Sequence, residues 1–189
     1  MVLTMSGCGL FSTRNPENPD TGKSTFQPPT SADIVIANFI NAIQEKNIDN
    51  YITCLTDSAQ STKNLFSFQP SSEANAKYAA IFQNWSIASE KSCMSNLFNN
   101  MPSDGFPVLN FTNSKFDVLL PDSAVYITDY MLLAKHNLTN IPTSFSGTMQ
   151  LTIIRHSSGL WNVDRWIDLS SNSDSVKITW SILKAQFSY

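Results

Sequence analysis

The side chains able to do chemistry are few: three cysteines, two histidines, and a handful of charged and aromatic residues in the second half of the chain. Cys54 and Cys93 fall in helix-like stretches. Two such thiols form a disulfide only if their Cα atoms come within about 7 Å of one another. Otherwise each is a small buried core residue, and the sequence leaves both readings open. His136 and His156 are far from both cysteines, so no Cys/His spacing suits zinc. His136 lies at a strand exit and His156 at a hairpin turn, where solvent is the usual surrounding. There is no glycine-rich phosphate loop, no Gly-x-Ser-x-Gly elbow and no clustered metal carboxylates. Neither a cofactor nor a metal is expected.

The strands offer a second set. Asp129 alternates in phase with Val125, Ile127, Met131 and Leu133, and a carboxylate on an apolar face is one whose pKa a pocket would raise. Arg155 ends the apolar face of a later strand and could serve as its counter-ion. Tyr130, Trp161 and Trp166 could stack on a ligand. Asp129, Tyr130, Arg155, Trp161 and Trp166 are therefore the candidate pocket lining. The competing reading puts Asp129 in a salt bridge at the sheet rim, or turned outward by a bulge. In that reading the aromatic residues are core, since each buries a large area.

These residues need elements to hold them. Ser31–Leu55 has apolar residues at three- and four-residue intervals, which predicts an amphipathic helix broken at Asn47-Ile48-Asp49. Ser72–Glu90 predicts a second helix, with Lys91–Met101 continuing it or adding a short turn. Met101–Gly105 is a loop. Strand grammar begins at Phe106. Phe116–Leu120, Ala124–Lys135, Thr143–Arg155 and Leu160–Leu169 predict about four strands, with His156–Gly159 as a hairpin turn. Phe145, Gly147, Met149, Leu151 and Ile153 share one face of their strand. Val176–Tyr189 fits a short helix or a last strand. Helices first and antiparallel strands after argue for an α+β domain over 31–189.

Charged residues are only 14% of the chain, and the net charge is −3. Without a basic stripe, nucleic-acid binding is not expected. No apolar run reaches the ~20 residues of a membrane span. The N-terminus reads M-V-L-T-M-S-G-C-G-L, with small Ser6 and Gly7 directly before Cys8. This resembles the lipobox of bacterial lipoproteins, which implies a diacylglycerol on Cys8. Residues 1–7 would then be the remnant of a signal peptide whose basic start lies upstream. Residues 8–30, rich in Pro, Ser, Thr and Asn, would be a disordered tether. The expected location is the bacterial cell envelope, periplasmic or surface-exposed, with the membrane as partner through the lipid.

The order of elements resembles the nuclear-transport-factor-2-like (NTF2-like, SnoaL-like or cystatin-like) superfamily. The likeness is carried by the opening helix with Phe39-Ile40-x-Ala42-Ile43, by Ala124-Val125-Tyr126-Ile127-Thr128-Asp129-Tyr130, and by Gly159-Leu160-Trp161-Asn162-Val163-Asp164-Arg165-Trp166-Ile167-Asp168. It implies helices packed on a strongly curved antiparallel sheet, leaving a cup between them. The closing Trp180-Ser181-Ile182-Leu183-Lys184 resembles the end of exported lipoproteins of this shape. The superfamily holds isomerases, dehydratases, carriers and interaction modules. Three functions follow as expectations: a domain binding a partner or a small apolar ligand, an enzyme using Asp129 in the cup, or an envelope component forming a homodimer through its sheet.

Overall fold

A computed structural model describes residues 24–57, 65–170 and 178–188. Cys8 and residues 1–7, expected as a signal-peptide remnant, lie outside the described residues. Two helices open the domain, α1 (Ala32–Gln44) and α2 (Ile48–Thr53). The Ser31 side chain accepts from the Ile34 amide and caps α1, while Asn47 does the same for α2 through Asn50. Both caps satisfy amides that a helix start leaves without partners. Lys46 takes a positive φ of 52° at the junction, so the expected break at Asn47 is a left-handed residue followed by a fresh cap.

The stretch expected as one helix over Ser72–Glu90 is two, α3 (Ser72–Phe82) and α4 (Ile87–Asn99). Ser86 stops the first reading: its side chain and that of Ser89 form a reciprocal capping box, which begins a new helix. A short strand β1 (Ser67–Gln69) precedes them, in a stretch without a clear sequence signal. β2 (Val108–Leu119) is longer than the expected strand, and β3 (Ser123–Leu133), β4 (Ser144–Arg155) and β5 (Trp161–Leu169) follow closely where alternation places them. The chain closes with α5 (Trp180–Phe187), the helical alternative for the tail.

The sheet has five strands in the order β1-β5-β4-β3-β2, antiparallel except that β1 runs parallel to β5. Register shifts in β2 between Thr112 and Lys115, and in the β4–β5 pair at Thr152/Ile153, are bulges that bend the sheet. Asn113 at the β2 bulge takes φ 53°. Residues 24–30, grouped with the tether on sequence, lie along the domain. Gln27 exchanges two hydrogen bonds with the buried Asn38 side chain, and Pro29 O accepts from Trp161 N at 2.8 Å.

The concave face carries Tyr126, Thr128, Tyr130 and Leu132 of β3, and Phe145, Met149, Leu151 and Ile153 of β4, all buried. Trp166 of β5 joins this face, and Phe39, Tyr51 and Trp180 pack above it. The Trp166 and Trp180 rings meet edge to face with centroids 4.9 Å apart, and Phe39 touches both. Gly147 is the one place on β4 without a side chain. It stands opposite Tyr130, and a Cβ there would lie 2.6 Å from Leu169 O and 2.8 Å from the Tyr130 hydroxyl. Gly147→Ala is therefore expected to cost about 1–3 kcal/mol by overpacking, read as a lower denaturation midpoint. An unchanged midpoint would mean that Tyr130 does not lie across that strand.

Candidate functional site

Two polar clusters lie inside the concave face, and both are held by α5. Its sequence, W-S-I-L-K-A-Q-F, buries Trp180, Ser181, Leu183, Lys184, Ala185 and Phe187. Spacings of three and four put Trp180, Leu183, Lys184 and Phe187 on one stripe. A serine and a lysine thus enter the core with the apolar residues.

The first cluster surrounds Asp168 at the end of β5. Its Oδ1 accepts from the Tyr130 hydroxyl at 2.7 Å. Its Oδ2 accepts from the Ser181 backbone N–H at 2.7 Å and from the Ser181 hydroxyl. The Tyr130 oxygen in turn accepts from Trp180 N at 2.7 Å. Thr179, at the cap position of α5, makes no side-chain cap bond. Asp168 and Tyr130 supply that cap from the sheet, and the carboxylate sits where a helix dipole favours negative charge. Ser71, the cap of α3, joins through Ser181 Oγ at 2.9 Å and Thr179 Oγ1 at 3.2 Å. Burial pushes the Asp168 carboxyl above its ordinary range, against the pull of its hydrogen bonds from Ser181 and Tyr130. Burial, and then the neighbouring Asp168 charge, push the Tyr130 phenol well up.

The second cluster pairs Glu90 of α4 with Lys184 of α5, both with fully buried side chains. Trp85 Nε1 donates to Glu90 Oε1 at 2.6 Å, and the Tyr51 hydroxyl donates to Oε2 at 2.8 Å. Lys184 Nζ contacts Oε1 as well. Around Nζ stand the rings of Phe68 and Trp166, with centroids at 3.9 and 4.0 Å, and those of Trp85 and Phe66 farther out. Burial lowers the Lys184 pKa and Glu90 opposes that shift.

The predicted lining residues do not converge. Asp129 faces away from the helices, where Asn113 donates to it at 2.9 Å and Thr148 at 2.6 Å. Those bonds hold its carboxyl below the usual range, the reverse of a pocket carboxylate. This corrects the cup assignment: alternation groups Asp129 properly with Val125, Ile127, Met131 and Leu133, but the helices cover the other face. Arg155 is exposed and donates to Gly159 O at 3.4 Å. Asp129 pairs with Thr148 in register, so Arg155 lies seven residues along β4, roughly 23 Å away at strand spacing. It is no counter-ion to Asp129. Tyr130, Trp161 and Trp166 are on the buried side, yet as packed core rather than as walls of an open cup. Cys54 and Cys93 are free thiols, which removes the disulfide. Burial pushes Cys54 up to about 12 and Cys93 up as well, so neither is a nucleophile. Among the described residues no group of His, Cys, Asp or Glu could hold a metal, and no helix is long and apolar enough to cross a membrane.

Glu90, Lys184, Tyr51 and Asp168 had no assigned role from sequence. One signal was present: Lys184 interrupts the Trp180–Leu183–Phe187 stripe, where a lysine should be excluded unless partnered. The surface next to this cluster is hollow. Two open depressions border Trp85, one of about 540 Å³ reaching Ile81, Ser92 and Ser188, the other of about 520 Å³ reaching Phe66 and Ile87. Ala88 lines both.

No family model matches the chain, and no curated protein matches it significantly. Solved structures do. A scytalone-dehydratase-type protein from Novosphingobium aromaticivorans superposes with a TM-score of 0.55 at 8% identity, over 78% of this chain and 87% of that one. A dehydratase-type protein of the NTF2-like family from Streptomyces avermitilis gives 0.54 at 10% identity, over 75% and 94%. The β subunit of benzoate 1,2-dioxygenase from Burkholderia mallei gives 0.52 at 11% identity, over 77% and 92%. With helices laid across a curved, unclosed and mostly antiparallel sheet, the chain has an α+β fold of the NTF2-like kind.

Proposed function

We propose that this protein is an exported lipoprotein, held to a membrane by a lipid on Cys8, whose NTF2-like domain works by binding rather than by turnover. The observation that carries the binding half is α5. It occupies the concave face, and Tyr51, Glu90, Tyr130, Asp168 and Lys184 are each engaged there by another part of the chain. A tyrosine beside a buried carboxyl can stabilise an oxyanion when substrate reaches it. Here Tyr130 and Asp168 spend their hydrogen bonds on the start of α5.

The ligand we infer is small and apolar, and its place is the hollow surface beside Trp85, whose volumes fall in the range of ordinary ligand sites. Titration with decanoate tests this by tryptophan fluorescence. A saturable change is expected, and Ala88→Trp, an exposed substitution that fills both hollows, should abolish it. An unsaturable response in the wild type would remove the small-ligand reading. The anchor has its own test. Expressed in a bacterium behind a lipoprotein signal peptide joined at Cys8, the protein should incorporate radiolabelled palmitate, and Cys8→Ser should not. Recovery of unlabelled wild-type protein would defeat the anchor.

A second reading, an enzyme of the dehydratase or isomerase kind, draws on the dehydratase-type fold neighbours. It requires α5 to leave the concave face, and Asp129 cannot serve it from the outer side of the sheet.

A further inference from the structure

Lys184 and Glu90 are 94 positions apart in sequence and meet in the core with both side chains fully buried. Such a pair is poorly served as two charges. Each ion has lost its hydration, a loss of several kcal/mol per ion that mutual attraction offsets only in part. The surroundings are aromatic: Phe68 and Trp166 lie against Nζ, with Trp85 and Phe66 behind. The carboxylate is also held in a particular way. Trp85 N–H points at Oε1 and the Tyr51 hydroxyl points at Oε2, so each oxygen has its own neutral donor.

That is an arrangement for condensation. We propose that Lys184 and Glu90 join in an intramolecular side-chain amide that staples α5 to α4. Nζ forms a bond to Cδ of Glu90 and the bond from Cδ to Oε2 breaks. Oε2 leaves as water, taking two of the three ammonium protons, and the third stays on the amide nitrogen. No oxidant, reductant or further reactant is needed. Trp85 N–H holds Oε1 while negative charge develops on it, the role of an oxyanion-hole donor. Tyr51, whose burial keeps its proton in place, holds Oε2 by its hydrogen bond while that oxygen collects the two amine protons and leaves. Fixed juxtaposition of amine and carboxyl supplies the high effective concentration that the same reaction lacks between free molecules in water. The product is neutral and removes both buried charges at once.

The consequence is a covalent closure of the C-terminal helix in a domain whose two core cysteines stay unpaired. Denaturing mass spectrometry of the full 189-residue chain tests it. The expected mass is about 18 Da below that of the sequence, one water lost. Trypsin should then fail to cut after Lys184 and should release one branched species joining residues 78–91 to 178–189. Lys184→Met should restore the full sequence mass, and because the protein is denatured for the measurement, that result does not depend on the variant folding. A wild-type chain of full mass, cut after Lys184 into two linear peptides, overturns the amide.

Discussion

Asp168→Ala is expected to lower unfolding free energy by about 3–5 kcal/mol, a large share of the ~5–15 kcal/mol that a domain of this size holds. The carboxylate accepts from Tyr130, from the Ser181 amide and from the Ser181 hydroxyl. Its removal strands three buried donors where no water replaces it, and the start of α5 loses its cap. Asp168→Asn keeps the shape and one acceptor, so about 1–2 kcal/mol is expected there. Urea denaturation measures both. The acid response separates the wild type from both variants. Burial raises the folded pKa of Asp168 above its unfolded value. The folded state therefore holds a proton that the unfolded chain has released, and stability from this group rises as pH falls from the folded pKa to the unfolded one. Asp168→Asn and Asp168→Ala should both lack that rise. Equal midpoints for wild type and Asp168→Ala would mean that the cap is not where α5 is held.

Trp180→Ala removes the largest side chain that α5 carries into the concave face, and about 3–5 kcal/mol should be lost with it. The ring contacts Phe39, Tyr130 and Trp166, so the hole left is apolar and bounded by aromatic edges. Apolar holes of that size stay dry and accept a ligand of matching shape. Added indole should therefore raise the melting temperature of Trp180→Ala in a saturable way and leave the wild type unmoved, the linkage expected when a ligand binds the folded state alone. Indole stabilising the wild type equally would show that a cavity already exists under α5.

Much of this fold was legible because its signals are local. The apolar spacing of α1 and the alternation of β3, β4 and β5 are written within a dozen residues each, and those elements stand where the periodicity puts them. The break between α3 and α4 turned on Ser86, a cap that a count of apolar residues passes over. The site was harder for a different reason. Alternation fixed which residues share a face with Asp129, yet both faces of β3 carry apolar side chains. Val125, Ile127 and Met131 on one side are no less hydrophobic than Ala124, Tyr126 and Leu132 on the other. Which face is core depends on where α1 and α5 dock, and that is a tertiary fact. Glu90 and Lys184 are separated by most of the domain, so nothing local joins the lysine in its apolar stripe to Glu90, which alone reads as an ordinary surface charge on a helix.

A binding role for the domain requires α5 to be a permanent filling of the concave face. Native-state hydrogen exchange of the α5 amides measures this directly. The expected result is that amides of residues 180–187 exchange only with global unfolding, at the same free energy as the central strands β3 and β4. Exchange of α5 at a free energy several kcal/mol lower, with β3 and β4 still protected, would contradict it: the helix would then be a lid over an open cup, and the enzymatic reading would take precedence.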